Sequence, residues 1–318
     1  MTSATARRRR DLIDRNLTNL ADARPSAAVR QNGAVNEPVV LVNPGSGSGT
    51  EIGELEVMFP GCRVEPCPPD ELAACVRSLA DAGAPFVGVA GGDGTLRTAA
   101  EVLVDRDVAL LAVPAGTRNH FAKDFGITSL EDAAEAAQSD RSRPIDVGCV
   151  NDRVFLNNCC LGAYPHMVER REQHESRWPK GIANIVAVWQ QLRHGRRLRV
   201  DIDGERFVAW LVFVGNGRYG ENLRDVSTRE ALDANLLDVR VVHADQRLAR
   251  LRLFAALLFG RLALTPVVTK RECRRVTIAV PGHAEVAVSL DGEVLRLTTP
   301  LDYESRSGAV RVQTPSSE

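Results

Sequence analysis

The sequence lacks the excess of positive charge that marks many nucleic-acid-binding proteins and the long apolar runs that mark membrane-spanning proteins. Its formal net charge at pH 7 is only −1, so the charge balance gives no reason to expect nucleic acid as a partner. The best candidate for a transmembrane segment, residues 251–264, is interrupted by Arg252 and Arg261 and is too short to span a bilayer. The basic run at residues 7–10 is followed by Asp-Leu-Ile-Asp rather than by an apolar segment, so we expect no signal peptide.

Cysteine is present without the spacing that would give it a structural role. The chain has seven cysteines, an odd number, with no Cys-x-x-Cys pair and no His/Cys ligand spacing. This pattern argues against a disulfide framework and against a structural zinc site. It suits a reducing compartment, so we expect a cytoplasmic protein.

The length and the order of apolar segments predict a tail and two folded domains. A chain of 318 residues is long enough for two domains that each bury a core. Residues 1–36 are polar and predict a flexible tail. Residues 37–144 alternate short apolar strands with amphipathic helices, which is typical of an α/β domain on a parallel sheet. Residues 145–304 contain many short strands joined by hairpin turns and predict a β-rich sandwich.

Periodicity places several individual elements. In the first half, apolar spacing predicts a helix over residues 70–82 with Asp70 as its N-cap. In the second half we expect two helices, over residues 181–193 and 248–264. The strands expected there cover residues 145–150, 154–161, 198–202, 207–214, 237–242, 276–280, 286–290 and 294–297.

One glycine-rich turn stands out. The apolar run that ends at Ala90 is followed by Gly91-Gly92-Asp93-Gly94-Thr95 and then by an Ala-rich segment, which predicts a strand, a tight turn and a helix N-terminus. Glycines let backbone amides approach an anion, and a helix N-terminus favours negative charge. Asp93 would repel a bare phosphate but suits a phosphate that carries Mg²⁺. The alternative is a glycine-rich turn that holds no ligand.

The two standard phosphate-binding motifs are absent. The turn at residues 43–49, Asn-Pro-Gly-Ser-Gly-Ser-Gly, is not closed by Gly-Lys-Ser/Thr, so it is no Walker A loop. It is no dinucleotide fingerprint either, because Thr50 stands where the third glycine belongs. Gly92-x-Gly94 likewise reaches Arg97 instead of a glycine.

Taken together, the turns resemble those of the diacylglycerol kinase catalytic domain family, which includes bacterial lipid kinases and sphingosine kinases and is distantly akin to NAD kinases. The resemblance covers about residues 38–312. Its landmarks, in family order, are Val42-Asn43-Pro44, residues 91–95, Gly116-Thr117-x-Asn119, Ile145-Asp146-Val147-Gly148, Phe155-Leu156-Asn157, Gly215-Asn216-Gly217-Arg218 and Leu290-Asp291-Gly292-Glu293.

The resemblance implies a fold and a set of site residues. It implies an α/β N-terminal nucleotide-binding domain and a β-sandwich C-terminal domain, with a strand in residues 305–314 returning to the first domain. It implies ATP and Mg²⁺ as cofactors, a general base at Asp291, and metal contacts at Asp93 and Asp233. The implied nucleotide contacts are Asn43, Ser46, Gly47, Gly91, Gly92, Asp93, Gly94, Thr95 and Thr117.

Asp291 also has a plain structural interpretation. Asp-Gly is a strong hairpin-turn signal, and Asp203-Gly204-Glu205 repeats the same tripeptide elsewhere in the chain. Only its place in the family pattern, before Leu297-Thr298-Thr299-Pro300, separates Asp291 from Asp203.

Several positions depart from the family pattern, and three of these departures bear on the site. Arg97-Thr98 replaces the usual Asn-Glu, and Arg97 would either contact a phosphate or be solvated. His120 replaces a common Asp, and we expect it at the surface. Asp233-Ala234-Asn235 replaces Asp-Asp-Gly, which puts the Mg²⁺ site at Asp233 in doubt.

The function that follows is an ATP- and Mg²⁺-dependent lipid kinase that phosphorylates a hydroxyl of diacylglycerol or a related lipid. Such a protein would act peripherally at the inner face of the membrane. The sequence leaves open whether it forms a homodimer. Two alternatives remain: a kinase of a soluble substrate, like the NAD kinases, and a non-catalytic nucleotide- or lipid-binding regulator.

Overall fold

A computed structural model describes residues 37–43, 52–116, 119–162, 197–220, 229–231, 233–246, 248–249, 251–253 and 265–316. The predicted tail and the helix expected over residues 181–193 lie outside this part of the chain, as does most of the helix expected over residues 248–264. No helix in the described part is long and apolar enough to cross a membrane.

The chain divides into two compact units, which we describe separately. Unit 1 comprises Met1–Pro144, Asp152–Val154 and Val310–Glu318, and unit 2 comprises Ile145–Asn151 and Phe155–Ala309.

Unit 1 is built on a parallel sheet. Strand β1 pairs with β2 on one side and with β3 on the other, and β3 pairs with β4, all in parallel. Every residue of β1 and β3 is buried, as expected for a parallel sheet covered on both faces. The strands are β1 Val39–Val42, β2 Arg63–Pro66, β3 Phe86–Gly91 and β4 Ala109–Pro114. The helices are α1 Ile52–Met58, α2 Leu72–Asp81, α3 Asp93–Leu103, α4 His120–Lys123 and α5 Leu130–Gln138.

Unit 2 is antiparallel. Its longest interior strand, β9, pairs with β7, β8 and β12. The strands, some of which begin or end in residues of unit 1, are β5 Ser142–Val150, β6 Arg153–Phe155, β7 Asn158–Gly162, β8 Leu198–Ile202, β9 Glu205–Asn216, β10 Arg218–Tyr219, β11 Arg229–Ala231, β12 Leu237–His243, β13 Val268–Cys273, β14 Arg275–Ala279, β15 Glu285–Leu290, β16 Glu293–Thr298 and β17 Leu301–Gln313. A buried apolar cluster, which includes Phe155, Val212, Val239 and Tyr303, forms the core of this unit.

Strand β17 contributes to both units. Its first residues pair antiparallel with β14, and Arg311 and Val312 pair in parallel with Ala109 and Leu110 of β4. The sheet of unit 1 is therefore extended beyond β4 by residues that follow all of unit 2 in sequence.

Three sequence-based assignments were wrong. The strand expected over residues 154–161 is two strands, β6 and β7, because the backbone amides of Leu156 and Asn157 between them donate to the Asp291 carboxylate. Asp70 is not the N-cap of α2; that position is Glu71, which makes no capping side-chain bond. Strand β13 was missed because it pairs only with β12 among the described strands and carries the charged residues of an edge strand.

Helix α5 begins with a capping box. The Oγ of Ser129 accepts a hydrogen bond from the Asp132 amide at 3.2 Å. The Asp132 carboxylate accepts from the Ser129 amide at 2.9 Å and from the Thr128 hydroxyl at 2.7 Å. Hydrogen bonds from Thr128 hold the pKa of the Asp132 carboxyl below its usual value.

This capping box gives a pH-dependent prediction. Asp132→Asn should lower the melting temperature by roughly 2 °C at pH 7, because a neutral amide replaces the charged acceptor. Because the pKa of Asp132 is lower in the folded protein than in the unfolded chain, where it is about 4, its carboxylate stabilises the folded state at pH values above about 4. This stabilisation is lost as the pH falls through the pKa of the folded protein. Circular dichroism melts should therefore show the two proteins converging in acid. Asp140→Asn, the same change at an exposed position, is the control, and an equal loss there would contradict the role of the cap.

Candidate active site

Two turns of unit 1 touch each other at the carboxyl ends of β3 and β4. Gly92 is the N-cap of α3, and Gly116 follows β4. A Cβ added to Gly116 would lie 2.5 Å from the Cα of Gly92, and a Cβ added to Gly91 would lie 2.6 Å from the Cβ of Thr95. Neither glycine can be replaced without displacing its neighbours. Helix α3 begins at this contact, and the backbone amides of its first turn have no intrahelical acceptor.

Asp93 connects these turns through its carboxylate. One oxygen accepts from the Phe121 amide at 2.9 Å and the other from the His120 amide at 3.3 Å, so Asp93 serves the amides at the start of α4. Between β4 and α4, the Asn119 side chain accepts from the Gly116 amide at 3.0 Å and donates to the Gly116 carbonyl at 2.9 Å. Asn119 itself has a positive φ of 49°. The predicted phosphate turn is thus fixed in place by its own aspartate.

The structure brings some of the predicted nucleotide contacts together. Asn43 directly follows β1, whose Val42 is paired with Ala90 of β3. Asn43 and residues 91–95 therefore lie at the same edge of the sheet, where ligands of parallel sheets bind. Ser46, Gly47 and Thr117 lie outside the described residues.

The oxygen ligands at this edge of the sheet are compatible with a phosphate that carries a divalent cation. Mg²⁺ is usually held by one or two carboxylates together with substrate phosphates and water, and Asp93 is a carboxylate in the first turn of α3. A carboxylate offers about four lone-pair sites, and backbone amides use two of those on Asp93. Among the described residues no three His, Cys, Asp or Glu side chains are grouped to hold a metal without such additional ligands.

In unit 2, Asp291 is held by three consecutive backbone amides. Its Oδ2 accepts from Leu156 at 2.7 Å, and its Oδ1 accepts from Asn157 at 2.8 Å and from Asn158 at 2.9 Å. The Asp291 amide in turn donates to the Asn158 carbonyl at 2.9 Å. Three charge-assisted bonds favour the ionised carboxylate and fix its orientation. This contact is also what separates β6 from β7.

A comparison with Asp203, which lies in a second Asp-Gly turn, shows which contacts of Asp291 come with this type of turn. Both aspartates have a positive φ, 52° for Asp203 and 49° for Asp291. The Asp203 carboxylate accepts from the Thr277 amide at 2.9 Å, and its own amide donates to the Thr277 carbonyl at 3.0 Å. An Asp-Gly turn that clamps a neighbouring strand is therefore common to both sites. The two extra amides, from Leu156 and Asn157, are particular to Asp291.

The thiols beside Asp291 are held protonated. Burial raises the pKa of Cys159 to about 12, and the negative charge of Asp291 adds to the effect. Burial likewise raises the pKa of Cys160 well above its usual value, with charges at Cys159 and Asp291 adding to it. Neither thiol can serve as a base near neutral pH.

Two buried polar residues near this site received no role from the sequence. The Asp146 carboxylate accepts from the amides of Gly308, at 2.9 Å, and of Asn235. The Asn216 side chain donates to the carbonyls of Asp146 at 2.9 Å and Leu156 at 3.0 Å. Both residues belong to the landmark motifs, and that membership was the available signal. Their partners are distant in sequence, so no local pattern identifies them.

Two departures from the family pattern can now be placed. Arg97 is buried, and its Nη1 pairs with Glu101 at 3.3 Å. The expectation of a solvated Arg97 was wrong, because Glu101 lies one helical turn away and compensates its charge. Asp233 is exposed in a turn where Asn235 adopts a φ of 48°, and its role as a metal ligand stays a prediction.

Comparisons with known proteins agree with these landmarks. Residues 37–150 match the family described as the diacylglycerol kinase catalytic domain, and residues 166–314 match the YegS C-terminal NAD kinase beta sandwich-like domain. A diacylglycerol kinase of Mycobacterium tuberculosis (strain H37Rv) is 30% identical over 257 residues, which cover 77% of this chain and 80% of the relative. A protein of Pseudomonas aeruginosa (strain UCBPP-PA14) named as a probable YegS-like lipid kinase is 32% identical over 235 residues, 71% of this chain and 75% of the relative.

Solved structures show the same fold. A crystal structure of a diacylglycerol kinase from Bacillus anthracis matches with a TM-score of 0.62 at 20% identity, covering 88% of this chain and 97% of that one. The predicted combination of an α/β domain with parallel strands and a β-sandwich domain is confirmed.

The unequal settings of the two Asp-Gly turns predict unequal costs of truncation. Asp291→Ala leaves three backbone amides without their acceptor and should cost about 3 kcal/mol or more, since each stranded donor costs about 1–3 kcal/mol when buried. Asp203→Ala should cost about 1 kcal/mol. Urea unfolding followed by circular dichroism checks both variants. Equal losses would show that the amides of Leu156 and Asn157 find other acceptors.

Proposed function

The chain belongs to the diacylglycerol kinase catalytic domain family, and from this membership we propose that it transfers the γ-phosphate of ATP to a hydroxyl of diacylglycerol or a related lipid. It is a kinase, a phosphotransferase with an alcohol acceptor. The observation that carries the proposal is the family's aspartate, Asp291, held as a carboxylate by three backbone amides.

Unit 1 would bind the nucleotide. The contact between Gly92 and Gly116 leaves backbone amides at the start of α3 where phosphate oxygens can approach, and the helix dipole favours their charge. Asn43 lies at the same edge of the sheet, so it is proposed as a further contact. Mg²⁺, when bound, would neutralise charge on the phosphates, and Asp93 would be its protein ligand at this turn.

Unit 2 would supply the base. A lipid hydroxyl is a poor nucleophile, and a carboxylate can orient it and accept its proton as the phosphoryl group transfers. Phosphoryl transfer passes through a loose transition state, so orientation matters more than strong basicity. A carboxylate that donors hold ionised and immobile is suited to this task. We propose that Asp291 takes this role.

Because diacylglycerol resides in the bilayer, we further propose that the protein acts peripherally at the inner, cytoplasmic face of the membrane.

The decisive test is an acceptor panel with two matched variants. Purified protein is incubated with labelled ATP, Mg²⁺ and mixed micelles of diacylglycerol, phosphatidylglycerol, ceramide or sphingosine, with NAD as the soluble acceptor. We expect label in one of the lipids. Asp291→Asn should reduce transfer by about 10²-fold or more, while nucleotide binding persists because Asp291 lies in unit 2.

Asp203→Asn controls for the loss of a charged turn aspartate in the same unit, and it should keep nearly full activity. Label in NAD but in no lipid would overturn the lipid assignment. Unchanged turnover of Asp291→Asn would show that the base lies elsewhere.

The nucleotide site has its own test. Gly116→Ala should weaken binding of ATP, measured by calorimetry, by about tenfold or more, because the new methyl group meets the Gly92 backbone and displaces the turn. Gly53→Ala, in helix α1, has nothing within 4 Å of the added methyl group and should leave ATP binding unchanged. If Gly116→Ala binds ATP normally, the nucleotide does not use this pair of turns.

A further inference from the structure

The segment that holds Asp291 contains two peptide groups with polar partners on both sides. In the first group the Leu156 carbonyl is followed by the Asn157 amide, and in the second the Asn157 carbonyl is followed by the Asn158 amide. Both amides donate to Oδ1 of Asp291, at 2.8 and 2.9 Å. The residues that face the two carbonyls therefore act on the same peptide groups as the carboxylate.

The Leu156 carbonyl receives two side-chain donors. The Asn216 amide nitrogen Nδ2 lies at 3.0 Å, and the Arg229 guanidinium nitrogen Nη1 lies at 2.5 Å. Leu156 and Asn216 are both buried and Arg229 is half-buried, so water screens the bond from Asn216 weakly and the bond from Arg229 in part. The first peptide group thus joins a positive charge to the carboxylate of Asp291.

The Asn157 carbonyl receives a separate pair of donors. The Tyr219 hydroxyl donates at 2.7 Å, and the backbone amide of Asn216 donates at 2.9 Å. Tyr219 is buried, and its ring packs edge-on against Phe213 at 5.2 Å between centroids. A Cβ on Gly215 would come within 2.5 Å of this ring. The position of the hydroxyl is therefore set by close packing of the ring against β9.

A donor on a peptide carbonyl polarises the peptide group and strengthens the hydrogen bond that its amide donates. We propose that Tyr219 and Arg229 are positioning residues for Asp291, Tyr219 acting through the peptide group of residues 157 and 158 and Arg229 through that of residues 156 and 157. Asn216 joins the two groups because it donates to both carbonyls. The catalytic consequence rests on the proposed function, whereas the hydrogen-bond relay does not.

The other groups around Asp291 do not supply this effect. Cys159 and Cys160 are buried thiols held protonated, and Tyr303 contacts the Cys159 sulfur at 3.3 Å. Cys159 and Cys160 lie on β7, which pairs with β15 of the Asp291 hairpin, yet among the described residues no bond is formed between these three side chains and the carbonyls of Leu156 or Asn157. Tyr303 is therefore a matched control for Tyr219, since each is a buried tyrosine whose hydroxyl has a defined contact.

The relay is tested first without any substrate. Amide proton shifts are measured by nuclear magnetic resonance on deuterated, ¹⁵N-labelled full-length protein. Tyr219→Phe should move the Asn158 amide proton upfield with a smaller change at Asn157, because it weakens only the second peptide group. Arg229→Gln should give the reverse pattern. Tyr303→Phe should leave both signals in place.

The kinetic arm follows with the same proteins. Tyr219→Phe should lower kcat by about 3- to 10-fold with an unchanged KM for ATP, as expected for one hydrogen bond that acts on the acceptor side, while Tyr303→Phe keeps the wild-type kcat. In an Asp291→Asn background, Tyr219→Phe should have no further effect on kcat, because its target is gone.

The two arms separate the failure of the relay from that of the function. Unmoved amide signals in Tyr219→Phe, or equal movement of both signals in each variant, would overturn the relay whatever the protein phosphorylates. Selective shifts in a protein that phosphorylates no lipid would overturn the proposed function and leave the relay standing. Selective shifts combined with an undiminished kcat would overturn the positioning role.

Discussion

The strand arrangement around the candidate base of the β-rich unit depends on three hydrogen bonds, which successive backbone amides donate to the Asp291 carboxylate. The buried amides of Leu156 and Asn157 leave the strand ladder and need another acceptor, and the partly buried Asp291 carboxylate is stabilised by their charge-assisted bonds. In this unit the amides and the Asp291 carboxylate satisfy one another. The strand breaks between β6 and β7 because of this contact, and the hairpin between β15 and β16 is tied to the break through the Asn158 carbonyl.

The sequence predicted the layers of the fold well because local signals carry them. Period-two and period-3.6 patterns, together with glycine-containing turns, mark strands and helices wherever one element is covered by another. Errors arose where distant residues decide the local conformation. Nothing near Leu156 announces that its amide will bond to residue 291, and nothing near Val268 announces that its strand has a neighbour on one side alone among the described strands.

The candidate site divides in the same way. The turn at residues 91–95 could be read directly, because glycine and a following helix have a known use in binding anions. Asp291 could be separated from Asp203 only by a family resemblance, and the structure explains why: both occupy the same kind of Asp-Gly turn and clamp a neighbouring strand. The Arg97–Glu101 pair was available from its i, i+4 spacing on the expected helix, whereas the burial of Arg97 depends on packing that the local sequence does not reveal.

Strand β17 has a consequence for biosynthesis. Residues 311 and 312 complete the sheet of unit 1 alongside β4, yet the ribosome reaches them only after making every residue of unit 2. Domains generally fold as they emerge, the N-terminal one first. In this chain the unit that is begun first is finished last, and until then β4 exposes an unpaired edge of the kind that invites association with other chains. The nascent protein therefore passes through a stage at which a nearly complete nucleotide-binding fold depends on residues not yet made.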